Sequence, residues 1–281
     1  MAEQEVLIDY AAKYSDIIDE RFTLSSITDR AISKAYNFDG VKTINIYSVE
    51  TAALNDYNRK ETANRYGTPK ELGIAAQSLE LKQDKGFTFT IDAGNYNDTV
   101  MASSAANALQ REIDEVITPT VDKYRISKMI AGAGSTLTQS ITKDTAYSSF
   151  LDASIVLTEN IVPASGRIAF VTPDYYKALK LDSNFTGRAD KANEIAVNGS
   201  IATIDNTAII VTPSSYFNNA DINFVLVHPC ATLGPVKLAE YKIHDKPQGV
   251  SGWLCEGRIY FDAFVLKNKK MAIVVSKKPT T

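Results

Sequence analysis

The sequence predicts an α+β fold, and three observations carry that prediction. Apolar residues recur at steps of three and four over one long stretch, Thr99 to Ile130. Short alternating or continuous apolar runs, which read as strands, stand on both sides of it. The order along the chain is helical arm, strand, long loop, hairpin, long helix, mixed middle and terminal strands, with no internal repeat. In that order both chain ends supply one domain and the middle is inserted as another.

The first segment, Glu5 to about Arg21, places Leu7, Tyr10, Ala11, Tyr14, Ile17 and Ile18 at helical spacing, with acidic residues on the other face. Such an amphipathic helix needs a partner surface. A second short helix is expected over Ser26–Lys34, capped by Ser25 or Ser26. Val41–Val49 alternates and reads as a strand. From Asn55 to Glu71 the chain turns polar and cannot bury itself, so a protruding loop is expected. Leu79 and Leu81 on one run and Phe87, Phe89 and Ile91 on the next predict a hairpin, with Gln83-Asp84-Lys85-Gly86 as its turn.

The long helix carries Leu109, Ile113, Val116, Ile117, Val121 and Tyr124 as its core stripe and would span roughly 45 Å. Pro119 should kink it, and Gly132 and Gly134 should end it. Asp144–Glu159 reads as a further helix. Gly166–Thr172 reads as a buried strand, and Pro173 opens a short helix to about Leu181. Residues 183–200 are polar and loop-like. Ala208–Thr212 and Phe224–His228 are apolar strands, and Val236–Gly252 is extended and rich in turns. The last strands are Cys255–Leu266 and Met271–Ser276, joined by the basic turn Lys267-Asn268-Lys269-Lys270. They are expected to pair and to lie beside the Val41–Val49 strand.

Composition narrows the function by exclusion. The chain has 281 residues, 44% hydrophobic and 22% charged, the balance of an ordinary globular protein. Thirty basic and 33 acidic side chains give a net charge of −3, without the Lys/Arg excess of a DNA-reading domain. No apolar run is long enough for a membrane span, and the N-terminus lacks the pattern of a signal peptide. Cys230 and Cys255 stand outside any metal or redox spacing and read as reduced thiols.

The chemistry-bearing motifs are incomplete. Ser140-Ile141-Thr142-Lys143 matches S-x-x-K, but its K-T-G and S-D-N partners are missing. Gly132-Ala133-Gly134-Ser135-Thr136 lacks the lysine and the preceding strand of a phosphate-binding loop. His228 and His244 have no ligand at metal spacing. Asp92 and Asp98 read as turn and helix-cap residues. We therefore expect no catalytic residue, no cofactor and no metal.

A resemblance enters on the run Gly86-Phe87-Thr88-Phe89-Thr90-Ile91-Asp92 followed by an acidic turn and a long helix. Val225–Ala231, Pro235–Leu238, Ile243–Gly249 and Gly257–Lys270 extend it. In element order the chain resembles tailed-phage major capsid proteins of the Hong Kong ninety-seven-type fold. The resemblance implies an N-terminal arm (1–40) and a peripheral domain (41–136 and 241–281) with an extended loop (50–92) and a spine helix (99–131). It also implies an axial domain (137–240). A shell built from hexamers and pentamers of this chain, enclosing double-stranded DNA by non-specific contact, is the implied function; an encapsulin-like compartment is the alternative. Scaffolding and portal proteins are the implied partners, with assembly in the bacterial cytoplasm and residence in the virion. Contacts between copies would come from Leu7, Tyr10, Tyr14 and Ile17 of the arm, and from Tyr57, Arg59, Lys60, Arg65, Tyr66 and Lys70 of the loop. Lys60 and Lys70 are placed for the cross-linking some members perform, but no spacing identifies an acceptor. About 40 residues precede the first strand, which favours a separate scaffolding protein over a cleaved segment.

Overall fold

Two sheets of different character organise the chain. The computed structural model describes residues 26–33, 35–36, 43–60, 62–94, 105–183, 202–218 and 221–279. The expected arm helix with Leu7, Tyr10, Tyr14 and Ile17, the first turn of the long helix, Asp98 and the 184–201 run lie outside them.

The larger sheet has six strands in the order β4-β13-β8-β5-β7-β6. These are β4 (Ser135–Thr138), β5 (Ile168–Val171), β6 (Ala202–Ile204), β7 (Thr207–Val211), β8 (Ile222–Val227) and β13 (Ile273–Lys277). Strand β5 is buried throughout, and β8 is too, because the sheet is covered on both faces. Alternation sorts the side chains. Ile168, Phe170, Val225, Val227, Ile273 and Val275 face one core, with Ile126 and Met129. Ala169, Val171, Phe224, Leu226 and Val274 face the other, with Phe150, Leu157, Tyr175 and Leu179.

Those covering residues come from helices. The long helix is α1 (Ala105–Glu112), a π-helical turn at Ile113–Ile117, and α2 (Thr118–Ala131). The expected disturbance at Pro119 therefore takes the form of a π turn just before it. Proline has no N–H to give the Glu115 carbonyl and its ring would crowd that group, so the widened turn absorbs both. Gly134 stands after α2 for a packing reason: a Cβ there would lie 2.6 Å from the Lys270 carbonyl. On the opposite face lie α3 (Ala146–Glu159) and α4 (Pro173–Leu181). Helix α4 starts as expected, with Pro173 in its first turn and the Thr172 hydroxyl accepting the Tyr175 N–H.

The smaller sheet is β10-β11-β3, formed by β3 (Gln83–Asp92), β10 (Val236–Asp245) and β11 (Gly252–Phe261). Its register puts Phe87, Phe89, Ile91, Trp253, Cys255, Ile259, Tyr241 and Ile243 on one face. Helix α1 approaches this sheet. Gly257 is the notch that lets Phe87 and Tyr241 meet over the middle strand: a Cβ would lie 2.2 Å from the Phe87 ring and 2.7 Å from that of Tyr241. The other face is polar, and Arg258 donates twice to the Asp84 carboxylate (2.9 and 2.6 Å).

Three sequence expectations fail here. Gln83–Gly86 is no turn: these residues pair with Phe261–Arg258, while Ser78–Glu80 pair with Asn45–Thr43. The chain changes sheets at Leu81, because Leu81 is fully buried and the corner is tied down from outside. The Asp262 carboxylate accepts the Lys82 N–H (2.9 Å), and the Leu81 carbonyl accepts the Tyr260 hydroxyl (3.0 Å). The last two strands do not pair: β11 sits in the small sheet and β13 in the large one, between β4 and β8. Lys267–Ala272 forms a 3-10 helix that carries the chain from one sheet to the other. The Ser26–Lys34 helix shrinks to a single 3-10 turn, Asp29–Ala31; Ser26 points its hydroxyl at Asp122 instead of capping.

His228 ends β8 at a tight junction. Its Nδ1 accepts the Cys230 N–H (3.2 Å), so Nε2 carries the proton and donates to the Ser165 carbonyl (3.1 Å). Burial depresses its pKa; the Ser165 carbonyl opposes this, while the Arg167 and Lys269 charges reinforce it. An imidazolium could not accept the Cys230 N–H. The folded form thus resists a proton that the unfolded chain takes up below about pH 6.5. Stability from His228 is present above that pH and is lost as pH falls. The unassembled chain should melt lower at pH 5.5 than at pH 7.5, and the gap should narrow in His228→Gln; thermal melts at the two pH values check this.

Candidate intersubunit surface

A two-stranded ribbon projects from this body. β1 (Thr43–Val49) pairs antiparallel with β2 (Ile74–Glu80), in a register that sets Tyr47 opposite Ala76 and Val49 opposite Ile74. Among the described residues no third strand joins it. Two strands alone are marginal in water, so the ribbon depends on its root. There its inner residues Ile44, Ile46 and Leu79 pack with Leu81, Leu233 and Leu266. β9 (Thr232–Leu233) and β12 (Phe264–Val265) pair to form that platform. Gln77 fastens the contact, donating to the Val265 carbonyl (3.2 Å) and accepting the Lys267 N–H (3.0 Å). The run 264–268 thus does lie beside β1, although its strand partners differ from those expected.

The outer face is uncovered. Tyr47, Val49 and Ile74 are 66%, 59% and 68% exposed, and Leu54 and Leu72 beyond them are exposed as well. Contiguous apolar surface of this kind marks an interaction site. Sequence reasoning missed these five residues. In β1, Tyr47 and Val49 have the look of core residues in an alternating strand, and nothing local marks their face as uncovered. The useful signal was the matching parity of Val49 and Ile74 across the loop.

The loop end holds every loop residue singled out from the sequence. Tyr57 and Tyr66 meet edge to face at 4.9 Å between ring centroids. Asn58 N–H donates to the Arg65 carbonyl (3.0 Å), and the Asn55 amide donates to the Tyr66 carbonyl (3.3 Å). Arg59, Lys60, Arg65 and Lys70 all reach solvent. The loop is therefore a small ordered tip with a basic rim on an apolar-faced stalk.

A polar clamp marks where the N-terminal segment joins the body. Asp122, on α2 and almost fully buried, accepts the Ser26 hydroxyl (2.9 Å), the Ile27 N–H (3.0 Å) and the Thr28 hydroxyl. Arg125, one turn on, donates to Thr28 (3.1 Å), to Asp29 and to the Gly234 carbonyl (3.2 Å). Thr232 holds the Ala31 carbonyl from the other side. The segment before Ser26 thus leaves from a fixed point between α2 and β9.

Ser140 and Lys143 sit on an exposed approach to α3. Among the described residues, no three His, Cys, Asp or Glu side chains gather as a metal site.

Comparison of the whole architecture with solved structures is decisive for the fold. The chain superposes on one from Mycobacterium phage Che8 with a TM-score of 0.74, covering 98% of each chain at 17% identity. It matches the capsid structure of the cyanophage P-SCSP1u at 0.71, over 99% of this chain and 94% of that one, at 11% identity. The fold is that of tailed-phage capsids. The asymmetric unit of the bacteriophage PhiM1 mature capsid matches this capsid fold at 0.68, over 95% and 91% of the two chains, at 8% identity. No protein-family model and no curated protein matches the sequence itself. What this capsid fold has kept is thus element order and packing, with little shared sequence.

Proposed function

We propose that the protein is the major capsid protein of a tailed bacteriophage, assembling into the icosahedral shell around a double-stranded DNA genome. The observation that carries this reading is the match of nearly the entire chain to phage capsids. The ribbon supports it independently: its apolar face is an expense in a lone molecule and a contact surface in a shell. In this reading the small sheet with α1 and α2 belongs to the peripheral domain and the large sheet to the axial domain; because β4 and β13 stand in that sheet, we assign residues 273–277 to the axial domain in place of the peripheral domain expected from the sequence. The arm expected over 1–40 is anchored at the Asp122 clamp, and its Leu7, Tyr10, Tyr14 and Ile17 would cover a neighbour. The ribbon tip, with Tyr57, Arg59, Lys60, Arg65, Tyr66 and Lys70, lies over the next copy. The role is structural, without catalysis. Scaffolding and portal proteins act during assembly in the host cytoplasm, and the DNA touches the inner face without sequence preference.

Each copy makes several contacts at once, so individually weak ones suffice. Electron microscopy of the purified chain, alone and co-expressed with a scaffolding protein from the same phage, is the test. Closed shells, tubes or hexamers and pentamers are expected. A chain that stays monomeric under both conditions would sink the reading. Shells purified with protein cargo and no nucleic acid would replace the genome shell with a compartment.

A further inference from the structure

The turn after α3 carries an anomaly that the ribbon and arm do not explain. Ile161 has a backbone φ of +58° and is 92% exposed. The other non-glycine residues with positive φ among those described are Asn64, Asp205, Asn206, Asn218 and Lys246. Ile161 alone of these is β-branched, the side-chain type least suited to that conformation.

The turn is not loose. The Ile161 N–H donates to the Thr158 carbonyl (2.9 Å) and the Val162 N–H to that of Leu157 (3.0 Å), a helix-ending motif whose left-handed residue is usually Gly or Asn. Val162 is packed against both cores of the large sheet. Arg167, 2% exposed, reaches across the turn to the carbonyls of Ser154, Val162 and Pro163 and to the hydroxyls of Ser154 and Thr158. A strained isoleucine on a rigid mount, with its side chain in water, is a poor solution for a lone chain. It makes sense where the side chain is covered.

The helices beside it indicate the cover. Asp152, Ile155 and Glu159 share one exposed face of α3, at steps of three and four, and α3 has no basic residue. Lys177, Lys180 and Leu181 share one exposed face of α4, where the two lysines outnumber Asp174 of the first turn and leave the face net positive. The two faces are opposite in charge, and each carries exposed apolar side chains: Ile155, with Ile161 just beyond, and Leu181.

We propose that the acidic face of α3, with Ile161 as its knob, docks on the basic face of α4 in a second copy of this chain. The contact joins two different patches, so it is head-to-tail, and it gives the rings of the proposed shell where its rotation closes. The proposal rests on the shell reading above and assigns one of its contacts.

The test compares full-length variants in the assembly reaction. Asparagine suits a positive φ, so Ile161→Asn should melt no lower than wild type when unassembled, yet need at least tenfold more protein to assemble. Glu159→Lys should weaken assembly, and adding Lys177→Glu to it should restore much of the loss. In particles of the doubly substituted Ile161→Cys, Leu181→Cys chain, oxidation should give ladders of linked copies on non-reducing gels, absent from either single variant. If wild-type shells form and Ile161→Asn assembles at the same concentration, or the double-cysteine particles give no ladder, the docking proposal is wrong and the shell reading stands. If the wild type forms no assembly even with scaffold, both fall.

Discussion

Replacing Tyr47 by Glu and Ile74 by Lys should abolish shell formation and leave the isolated chain folded. The two positions are diagonal neighbours on the outer face of the ribbon, so opposite charges there would not repel each other. Both side chains are already in water, and such surface changes ordinarily shift stability by about 0.5 kcal/mol or less. The melting temperature of the unassembled double variant should therefore stay within about 2 °C of wild type. Assembly is another matter. Covering a tyrosine and an isoleucine contributes about 4 kcal/mol per contact, near a thousandfold in affinity, and charges at those positions would also resist desolvation. Every copy in a shell would suffer the loss. Light scattering and electron microscopy at the wild-type assembly concentration measure it; normal shells from the double variant would mean that this face is not an interface.

Phe224→Ala should be the most damaging single truncation of the body. Phe224 lies at the centre of β8 with no exposed surface. Its ring stands 5.8 Å from that of Phe150 on α3 and 4.7 Å from that of Tyr175 on α4. One side chain therefore joins the sheet to both helices that cover it. Removing it leaves a cavity between three elements that cannot all collapse inward, at a cost of about 3–5 kcal/mol. For a chain of this size that is a fall of roughly 10 °C in melting temperature. Calorimetry on the unassembled variant measures it, and a fall under about 3 °C would show that α3 and α4 can close over the gap. Because α3 and α4 also carry the faces proposed to join copies, the variant should assemble poorly even below its melting point.

Much of the molecule was legible because local signals agreed with their surroundings. Pro173 after a continuous apolar run could only be a strand followed by a helix start. The alternation of Phe87, Phe89 and Ile91 fixed which side of β3 is buried. The failures share one physical cause: the deciding partner is remote in sequence. Gln83-Asp84-Lys85-Gly86 has the composition of a turn, yet it is held straight by Arg258–Phe261, which the local sequence does not announce. Strand β10 hid behind its charges, although Ala239, Tyr241 and Ile243 alternate with Glu240, Lys242 and His244 in the way a half-covered strand must. The terminal pair was wrong because Lys267–Lys270 looks like a solvated turn, and nothing local says that the chain climbs from one sheet into another there. The proposed intersubunit surface was half legible. Its basic, aromatic tip stands out in composition. Its apolar stalk does not, because an exposed Tyr47 or Ile74 looks in sequence like any core residue.

The position of β13 bears on the order in which the molecule is made. It lies inside the large sheet, holding β4 on one side and β8 on the other, yet it follows every other strand of that sheet in the chain. While a ribosome is still translating, β4 has no neighbour to pair with, and the sheet stays open until Lys277 has emerged. A polypeptide halted before Ile273 would lack the strand that joins β4 to the rest of the large sheet. In the proposed shell such abortive products would have no finished body with which to enter a growing lattice, so the late strand would serve as a check on the length of each subunit.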